Sequence, residues 1–215
     1  MSNINLHPTE ELLTQYNQGQ LDDVMMMVLS AHIALCDKCS AKLKEIDLKQ
    51  AQAELIQPPV TKTSHPWHDL ESILEKITSL PQLDETKRKT LNLAWKETSI
   101  EVPQVLHPLV SEHESWDMAM KKFWKSRVKN PTNYNIDFVF MEKDCAIPRY
   151  LHKGELNLIL SGGFRTKRKS FRRGDMICLQ DRAKLSAVDA QGCLYISISD
   201  LPDELVNNLT KLSLE

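Results

Sequence analysis

The sequence predicts an α+β protein with a small helical domain over residues 1–80, followed by an antiparallel β-barrel or jelly roll over residues 81–215. Three observations lead to this prediction. Apolar residues recur at helical spacing in the N-terminal part, where His and Cys residues are placed to staple the helices with a metal ion. Residues 57–66 contain three prolines, which forbid a continuing helix and indicate an extended tether. From Asn135 onward, short apolar runs broken by Gly, Pro or charged turns are typical of strands.

Composition and charge narrow the functional classes. The chain has 215 residues, of which 41% are hydrophobic, enough for two packed cores. The net charge of −2 gives no general attraction to nucleic acid or to an anionic membrane. No uninterrupted apolar run is long enough to span a bilayer and the N-terminus lacks a signal-peptide pattern, so we expect a soluble, cytoplasmic protein. In a reducing cytosol, the spacing of Cys36 and Cys39 favours metal ligation over a disulfide.

A metal site is predicted around the second helix, which begins at about Leu21, after a first helix over about Thr9–Gln18. His32 and Cys36 are four residues apart, so their side chains leave the same helical face one turn apart. Cys39, three residues further on, can curl back from the helix end onto that face. One imidazole and two thiols in this arrangement suit a tetrahedral zinc ion. The alternative is a core histidine beside two cysteines that act as small buried hydrophobes.

The best candidate for the fourth ligand is His7. It stands just before a helix start, where Pro8 suits the first turn. A first helix that ends near Gly19 can fold back antiparallel to the second and bring His7 beside the other three ligands. His65 and His68 lie beyond the prolines and are weaker candidates. A domain below about 80 residues buries only a modest core, so one zinc ion with a structural role is expected.

Two further helices are predicted before the second domain. A third helix covers about Ser40–Ile56 and has a thin apolar side. A fourth follows the tether over residues 68–80, with a full amphipathic stripe that either packs on the first three helices or docks in a groove on a partner protein. The apolar positions of that stripe that we single out are Leu70, Ile73, Leu74 and Ile77.

The second half of the chain changes its hydrophobic period. Between Pro81 and Arg127 the pattern is ambiguous and contains the helix-like pieces DETKRKTLNLAWKE and SWDMAMKKFWKS. After residue 135 the runs are strand-like, and the chain closes with a short predicted helix, LPDELVNNLTKL. The strand-like runs are IDFVFMEKDCAIP, GELNLILSGGF, GDMICLQ and GCLYISIS.

Both ends of the chain resemble one known family. The N-terminal part resembles the zinc-binding domain of anti-sigma factors of the ChrR type, and the strand region resembles that family's C-terminal cupin domain. The segments that carry the resemblance are HPTEELLTQYNQGQLDD, AHIALCDKC, PRYLHKGELNLILSGGF, FRRGDM and GCLYISIS.

The resemblance implies a regulator without catalytic activity. Such a protein binds a sigma factor of the extracytoplasmic-function type through its zinc domain, whose helices wedge between the two sigma domains, and hides the surfaces that engage RNA polymerase. The cupin domain is then needed to respond to a stress signal such as singlet oxygen. The zinc ligands implied by position are His7, His32, Cys36 and Cys39, and the partner-binding candidates are Leu12, Tyr16, Leu70, Ile73, Leu74 and Ile77.

A second metal site in the barrel is doubtful. The cupin pattern supplies two histidines, a glutamate and a third histidine, whereas this chain has Tyr150 at the first position, His152 at the second and Glu155 at the third. Near the fourth position stands Leu185 or Lys184. Two ligands rarely hold a divalent ion firmly, so we expect the barrel to lack a metal or to bind one weakly. His152 and Glu155 could equally be a hydrogen-bonded surface pair.

Three other interpretations compete with this one. A metal-dependent cupin dioxygenase or isomerase would need at least three protein ligands and an open coordination position. The CDKC segment could act as a zinc redox switch, in which oxidation expels the metal and releases the partner. The basic turn over residues 165–173 could bind an anion or nucleic acid, but a solvated hairpin that protects a strand edge explains the same charges.

Overall fold

The structure is a computed structural model that describes residues 4–56, 75, 78–79, 90–130, 133–147, 155–165, 169–179, 185–187 and 189–201. Residues 75, 78 and 79 are helical, at positions where the fourth helix was predicted. The tether, Leu70, Ile73, Leu74 and Ile77, and the predicted C-terminal helix lie outside the described residues.

Three helices open the chain, each where the sequence predicts one. Helix α1 spans Glu10–Asn17, α2 spans Asp23–Leu35 and α3 spans Asp37–Ile56. Side-chain caps fix the first two N-termini, because Thr9 accepts a hydrogen bond from Leu12 N–H and Asp22 accepts bonds from two backbone N–H groups of α2. These local signals explain why the helix starts were predictable.

The second and third helices are separated at Cys36, so the second helix ends before the two cysteines and the third begins about three residues earlier than predicted. Cys36 adopts extended backbone angles, with φ −120° and ψ 101°, and α3 begins at Asp37. The two helices are bent by 115° across this break. Cys39 therefore lies in the first turn of α3, and the bend brings it back towards the end of α2. None of the described helices is by itself long and apolar enough to cross a bilayer, although α2 and most of α3 pass that test together as a bent pair.

Two predicted helical pieces are strands instead. Strand β1 covers Thr90–Trp95 and forms a two-stranded antiparallel sheet with β2, Thr98–Pro103. In β1 the side chains of Leu93 and Trp95 are buried and their neighbours are more exposed, which is a strand period. Lys96 turns the chain with a φ of +51°. A short 3-10 helix, Gln104–Leu106, and a short α-helix, His107–Ser111, follow.

The second of these pieces, SWDMAMKKFWKS, contains the first strand of the main sheet and most of the second. The main sheet has nine strands, which pair antiparallel. The path of strands is β3-β4-β5-β11-β7-β10-β6, with β8 and β9 also paired to β7. The described strands form an open path with different strands at its two ends, so they make a jelly-roll-like sheet and not a closed barrel. The strand bounds are β3 Asp117–Met120, β4 Phe123–Arg127, β5 Asn135–Met141, β6 Ala146–Ile147, β7 Glu155–Arg165, β8 Ser170–Arg172, β9 Met176–Leu179, β10 Leu185–Ala187 and β11 Cys193–Ser199.

The main sheet is apolar on both faces, and the helices cover one of them. Alternate residues of β5, β7 and β11 belong to two different clusters, as the strand period requires. One cluster contains Phe138 and Ile196 of the sheet together with Leu12, Val28 and Leu29 of the helices. The helical part and the sheet therefore share a hydrophobic core.

Gly162 is a position in β7 that excludes any side chain. Its φ is +66°, and an added Cβ would lie 2.1 Å from the backbone oxygen of Gly192. We expect Gly162→Ala to lower the free energy of unfolding by about 3 kcal/mol, because backbone strain and steric overlap add. Gly19→Ala is the matched control, since Gly19 has a φ of +64° but no atom within 4 Å of the new Cβ. Its expected loss in urea unfolding is about 1 kcal/mol, and equal losses for the two variants would contradict the overlap.

Candidate metal centre

Four side chains from three chain segments converge beside the break between α2 and α3. His7 precedes α1, His32 lies in the last turn of α2, Cys36 occupies the break and Cys39 lies in the first turn of α3. Each offers one ligand atom, and these four atoms all lie within 4.8 Å of one another. The four residues are the ones that the sequence singled out.

The distances between the ligand atoms are those of a compact tetrahedron. His7 Nδ1 lies 3.3 Å from Cys36 Sγ and 3.4 Å from Cys39 Sγ. His32 Nε2 lies 3.3 Å from Cys39 Sγ. Zinc–nitrogen bonds of about 2.0–2.1 Å and zinc–sulfur bonds of about 2.3 Å imply a nitrogen–sulfur separation of about 3.6 Å in a tetrahedral site. The cluster is therefore compatible with one zinc ion.

The second ring nitrogen of His32 fixes its tautomer. His32 Nδ1 lies 2.7 Å from the backbone oxygen of Gly174, in the turn between β8 and β9. A carbonyl oxygen only accepts, so Nδ1 carries the hydrogen and the lone pair on Nε2 is directed at the cluster. Metal-binding histidines in proteins almost always use their other nitrogen in this way.

Burial determines the protonation of the cluster. Desolvation lowers the pKa of His32 to about 4, so its imidazole is neutral at neutral pH, as a metal ligand must be. Desolvation, followed by the neighbouring Cys36, raises the pKa of the Cys39 thiol to about 12. Desolvation and the nearby Lys38 lower the pKa of His7. Two thiolates at this buried place therefore need a cation between them, and a divalent metal provides one.

The donor set also indicates the type of site. Two imidazoles and two thiolates are a common closed set for structural zinc, in which all four positions are filled by protein. His7 offers the fourth possible ligand atom of the cluster. His65 and His68, the weaker candidates, lie outside the described residues.

Sequence reasoning missed the residues that surround the ligands. Gly174 accepts the hydrogen bond from His32, and Asp175 beside it accepts bonds from the backbone of the N-terminal arm, residues 4–7. Both residues belong to FRRGDM, a segment singled out only for its family resemblance. Their positions in the sequence gave no sign of a contact with the metal cluster.

Of the two residues of the possible second metal site, His152 and Glu155, the structure describes Glu155. Glu155 opens β7 and its carboxylate accepts a hydrogen bond from the Ser197 hydroxyl at 3.4 Å. His152 lies outside the described residues. That the barrel lacks a metal at this pair, or binds one weakly, therefore remains a prediction.

The partner-binding candidates on α1 are largely enclosed. Leu12 is buried in the core shared with the sheet, so it could touch a partner only if α1 moved. Tyr16 is half-buried, and its hydroxyl lies 2.7 Å from that of Ser30. The partner role of these residues, and of the four on the predicted fourth helix, remains a prediction.

The basic turn contains a hairpin. Strands β7 and β8 pair from Gly163 opposite Arg172 to Arg165 opposite Ser170. The side chain of Arg173 donates a hydrogen bond to the backbone oxygen of Leu160 at 3.0 Å. This arrangement agrees with a solvated hairpin, and anion binding by residues 165–173 remains untested.

Comparison with known proteins identifies a relative over the full length. No protein-family model matches the chain. A search of curated proteins finds the anti-sigma-E factor ChrR of Cereibacter sphaeroides, 22% identical over 222 residues, with coverage of 96% of this chain and 94% of ChrR. The resemblance to ChrR-type proteins is confirmed. It includes both ends and the ambiguous middle of the chain.

The solved structures give the same result for the fold. A chain in the crystal structure of Rhodobacter sphaeroides SigE in complex with the anti-sigma ChrR matches with a TM-score of 0.64 and 21% identity, over 92% of this chain and 100% of that chain. The matched chain of that complex therefore has the same fold as this chain, helices followed by a cupin-like sheet. A cupin protein from Ralstonia eutropha also matches, at 16% identity, over 39% of this chain and 61% of the cupin chain. Its TM-score of 0.33 is too low to support an argument.

Proposed function

We propose that this chain is an anti-sigma factor that binds a sigma factor of the extracytoplasmic-function type and keeps it from RNA polymerase. The observation that carries the proposal is the full-length similarity to ChrR in a chain whose four predicted zinc ligands meet in one cluster. The helical region, residues 1–80, makes the contact, and the cupin-like region, residues 81–215, receives the releasing signal. An oxidative stress, such as singlet oxygen, is the proposed signal.

The metal has a structural role in this proposal. When bound, zinc ties together the N-terminal arm, the end of α2 and the start of α3, which also share a small buried apolar cluster beside the break. His7, His32, Cys36 and Cys39 would hold the ion. The helices then present one fixed surface to the sigma factor.

Inhibition follows from competition. A sigma factor whose polymerase-binding face is covered by the anti-sigma helices cannot bind polymerase at the same time, so transcription follows the free fraction. A signal that weakens the complex by about 1.4 kcal/mol raises its dissociation constant tenfold and so increases the free fraction of sigma factor. The core shared by α1, α2 and the sheet gives the cupin-like region a direct physical connection to these helices.

The protein acts without catalysis in this proposal, and it acts in the cytoplasm, where RNA polymerase is found. A closed set of four protein ligands leaves no coordination position for a substrate. An oxygenase would need an open site with at least three ligands, whereas the cupin pattern in this sequence offers two candidates, His152 and Glu155.

The direct test is capture of an extracytoplasmic-function sigma factor from the same genome. The tagged full-length chain should co-purify with it in a one-to-one complex and should inhibit transcription from its promoters in a purified polymerase assay. A primary, housekeeping sigma factor is the control and should not be retained. Failure to retain any extracytoplasmic-function sigma factor of the same genome would reject the proposed function.

A further inference from the structure

We propose that Asp175 positions the metal ligand His7, so that zinc binding by the helices and docking of the N-terminal arm on the sheet are a single linked event. The hydrogen bonds of Asp175 are to backbone N–H groups and not to a ligand atom of the cluster. Asp175 acts through the backbone of the arm, residues 4–7, which ends at His7. This inference rests on the proposed zinc site and does not depend on which partner the protein binds.

The carboxylate of Asp175 is the anchor of the arm. It is fully buried, and its Oδ1 accepts hydrogen bonds from the backbone N–H groups of Asn5 at 2.8 Å and Leu6 at 3.0 Å. Its Oδ2 accepts a bond from Arg172 N–H at 2.7 Å, within the same turn. A carboxylate with three charge-assisted bonds holds its partners more firmly than neutral acceptors do. The residue directly after Leu6 is His7, whose imidazole is thereby placed over the two sulfurs.

The neighbouring Gly174 serves the other imidazole of the cluster. Its backbone oxygen accepts the bond from His32 Nδ1, as described above. Its φ is +91°, and an added Cβ would lie 2.4 Å from Cδ1 of Ile4, in the arm. A side chain at this position would be strained by the positive φ and would displace Ile4, so the close approach of the turn to the arm favours glycine. Two adjacent residues of the sheet thus support two of the four ligands.

The consequence is a reciprocal coupling between the sheet and the metal. If the turn stabilises the zinc-bound arrangement of His7 and His32, zinc must stabilise the docked arrangement of the arm by the same free energy. A change in the cupin-like region that displaces the turn between β8 and β9 would then loosen the metal site. The signal proposed for that region would have a defined route to the helices.

The test is zinc affinity, measured by competition with a chromophoric chelator, for the full-length wild type and Asp175→Asn. The amide keeps the shape but loses the charge and puts N–H donors against backbone N–H groups, so we expect zinc affinity to fall about tenfold or more. Asp137→Asn is the control, because Asp137 is also buried in the sheet but pairs with Lys125 and Arg127. Its zinc affinity should stay within about twofold of the wild type.

Urea unfolding with and without zinc separates positioning from a merely structural role. A tenfold loss of affinity predicts that Asp175→Asn loses about 1.4 kcal/mol more stability in the zinc-bound form than in the zinc-free form. Equal losses in the two forms, or an unchanged zinc affinity, would overturn the inference. Failure of the wild type to bind zinc would instead reject the zinc site itself.

Hydrogen exchange on the wild type tests the same coupling without a variant. The amides of Asn5 and Leu6 should be protected in the zinc-bound protein and exchange much faster after zinc removal. The amides of Ile196 and Ile198 in β11, which is paired on both sides, should stay protected in both forms. Protection of the two arm amides that does not change on zinc removal would overturn the inference even if the variant fails to fold.

Discussion

Replacing His32 or Cys36 with alanine should abolish capture of the sigma factor. Either change removes one of four zinc ligands and leaves three, which lowers zinc affinity by orders of magnitude. The arm, the end of α2 and the start of α3 then lose the link that fixes their directions at the break. We expect the sigma affinity to fall at least about a hundredfold, which corresponds to about 2.7 kcal/mol, in a titration followed by calorimetry or fluorescence anisotropy.

Cys178→Ala is the matched control for this experiment. Cys178 is also a buried cysteine, but it lies in β9 and contributes to the core of the sheet. The variant should lose stability through a small cavity and keep both zinc and partner binding. Normal partner binding by a zinc-free Cys36→Ala protein would show that the metal is not needed for inhibition.

Removing zinc from the wild type should cause a large loss of stability. A ligand that binds the folded state alone stabilises it by about 4.1 kcal/mol when its free concentration is a thousand times the dissociation constant. A high-affinity chelator removes this contribution, so we expect a drop of about 4 kcal/mol or more in the free energy of unfolding, measured with urea. Acid should act in the same direction, because protons compete with zinc for the thiolates and imidazoles as the pH falls.

Two comparisons decide the meaning of that experiment. Addition of zinc should restore the stability, and Cys36→Ala should show no change with either chelator or zinc. A wild-type protein with the same unfolding midpoint before and after zinc removal would show that the cluster has no stabilising role. A chelator effect of equal size in Cys36→Ala would indicate metal binding elsewhere in the chain.

The four residues of the cluster could be predicted because three of them are local in sequence. His32, Cys36 and Cys39 lie within eight residues, so the short chain between them keeps their side chains close even where the helix breaks. The break at Cys36 changed the path of the chain but not this meeting. His7 could be predicted for a similar reason, because α1 is short and its cap and turn signals set the direction in which it folds back onto α2.

The residues that support the ligands could not be predicted. The hydrogen bond from His32 to Gly174 joins positions 142 residues apart, and those from the arm to Asp175 span 169 and 170 residues. Such contacts depend on how the sheet docks on the helices, which no local pattern encodes. The segment FRRGDM was singled out for its family resemblance, which gives no information about what lies against it.

The strands between residues 90 and 127 were misassigned for a different reason. The segments around β1 and β3 are short and contain Lys and Glu, which favour helices. The strand form of β1 is fixed by tertiary packing, because Leu93 and Trp95 are buried in the core shared with the helices, whereas β3 is mostly exposed and is held by its pairing with β4. Lys96 and Lys122, which turn the two hairpins with positive φ, are not typical turn residues.

The most direct measurement is the zinc content of the purified full-length protein, determined by mass spectrometry of the metal alongside protein concentration. We expect close to one zinc per chain in the wild type, the same content in His152→Ala, and a large loss in His7→Ala. A folded wild-type protein that contains no zinc, or a His7→Ala protein that keeps all of it, would contradict the assignment of His7, His32, Cys36 and Cys39 as one metal centre.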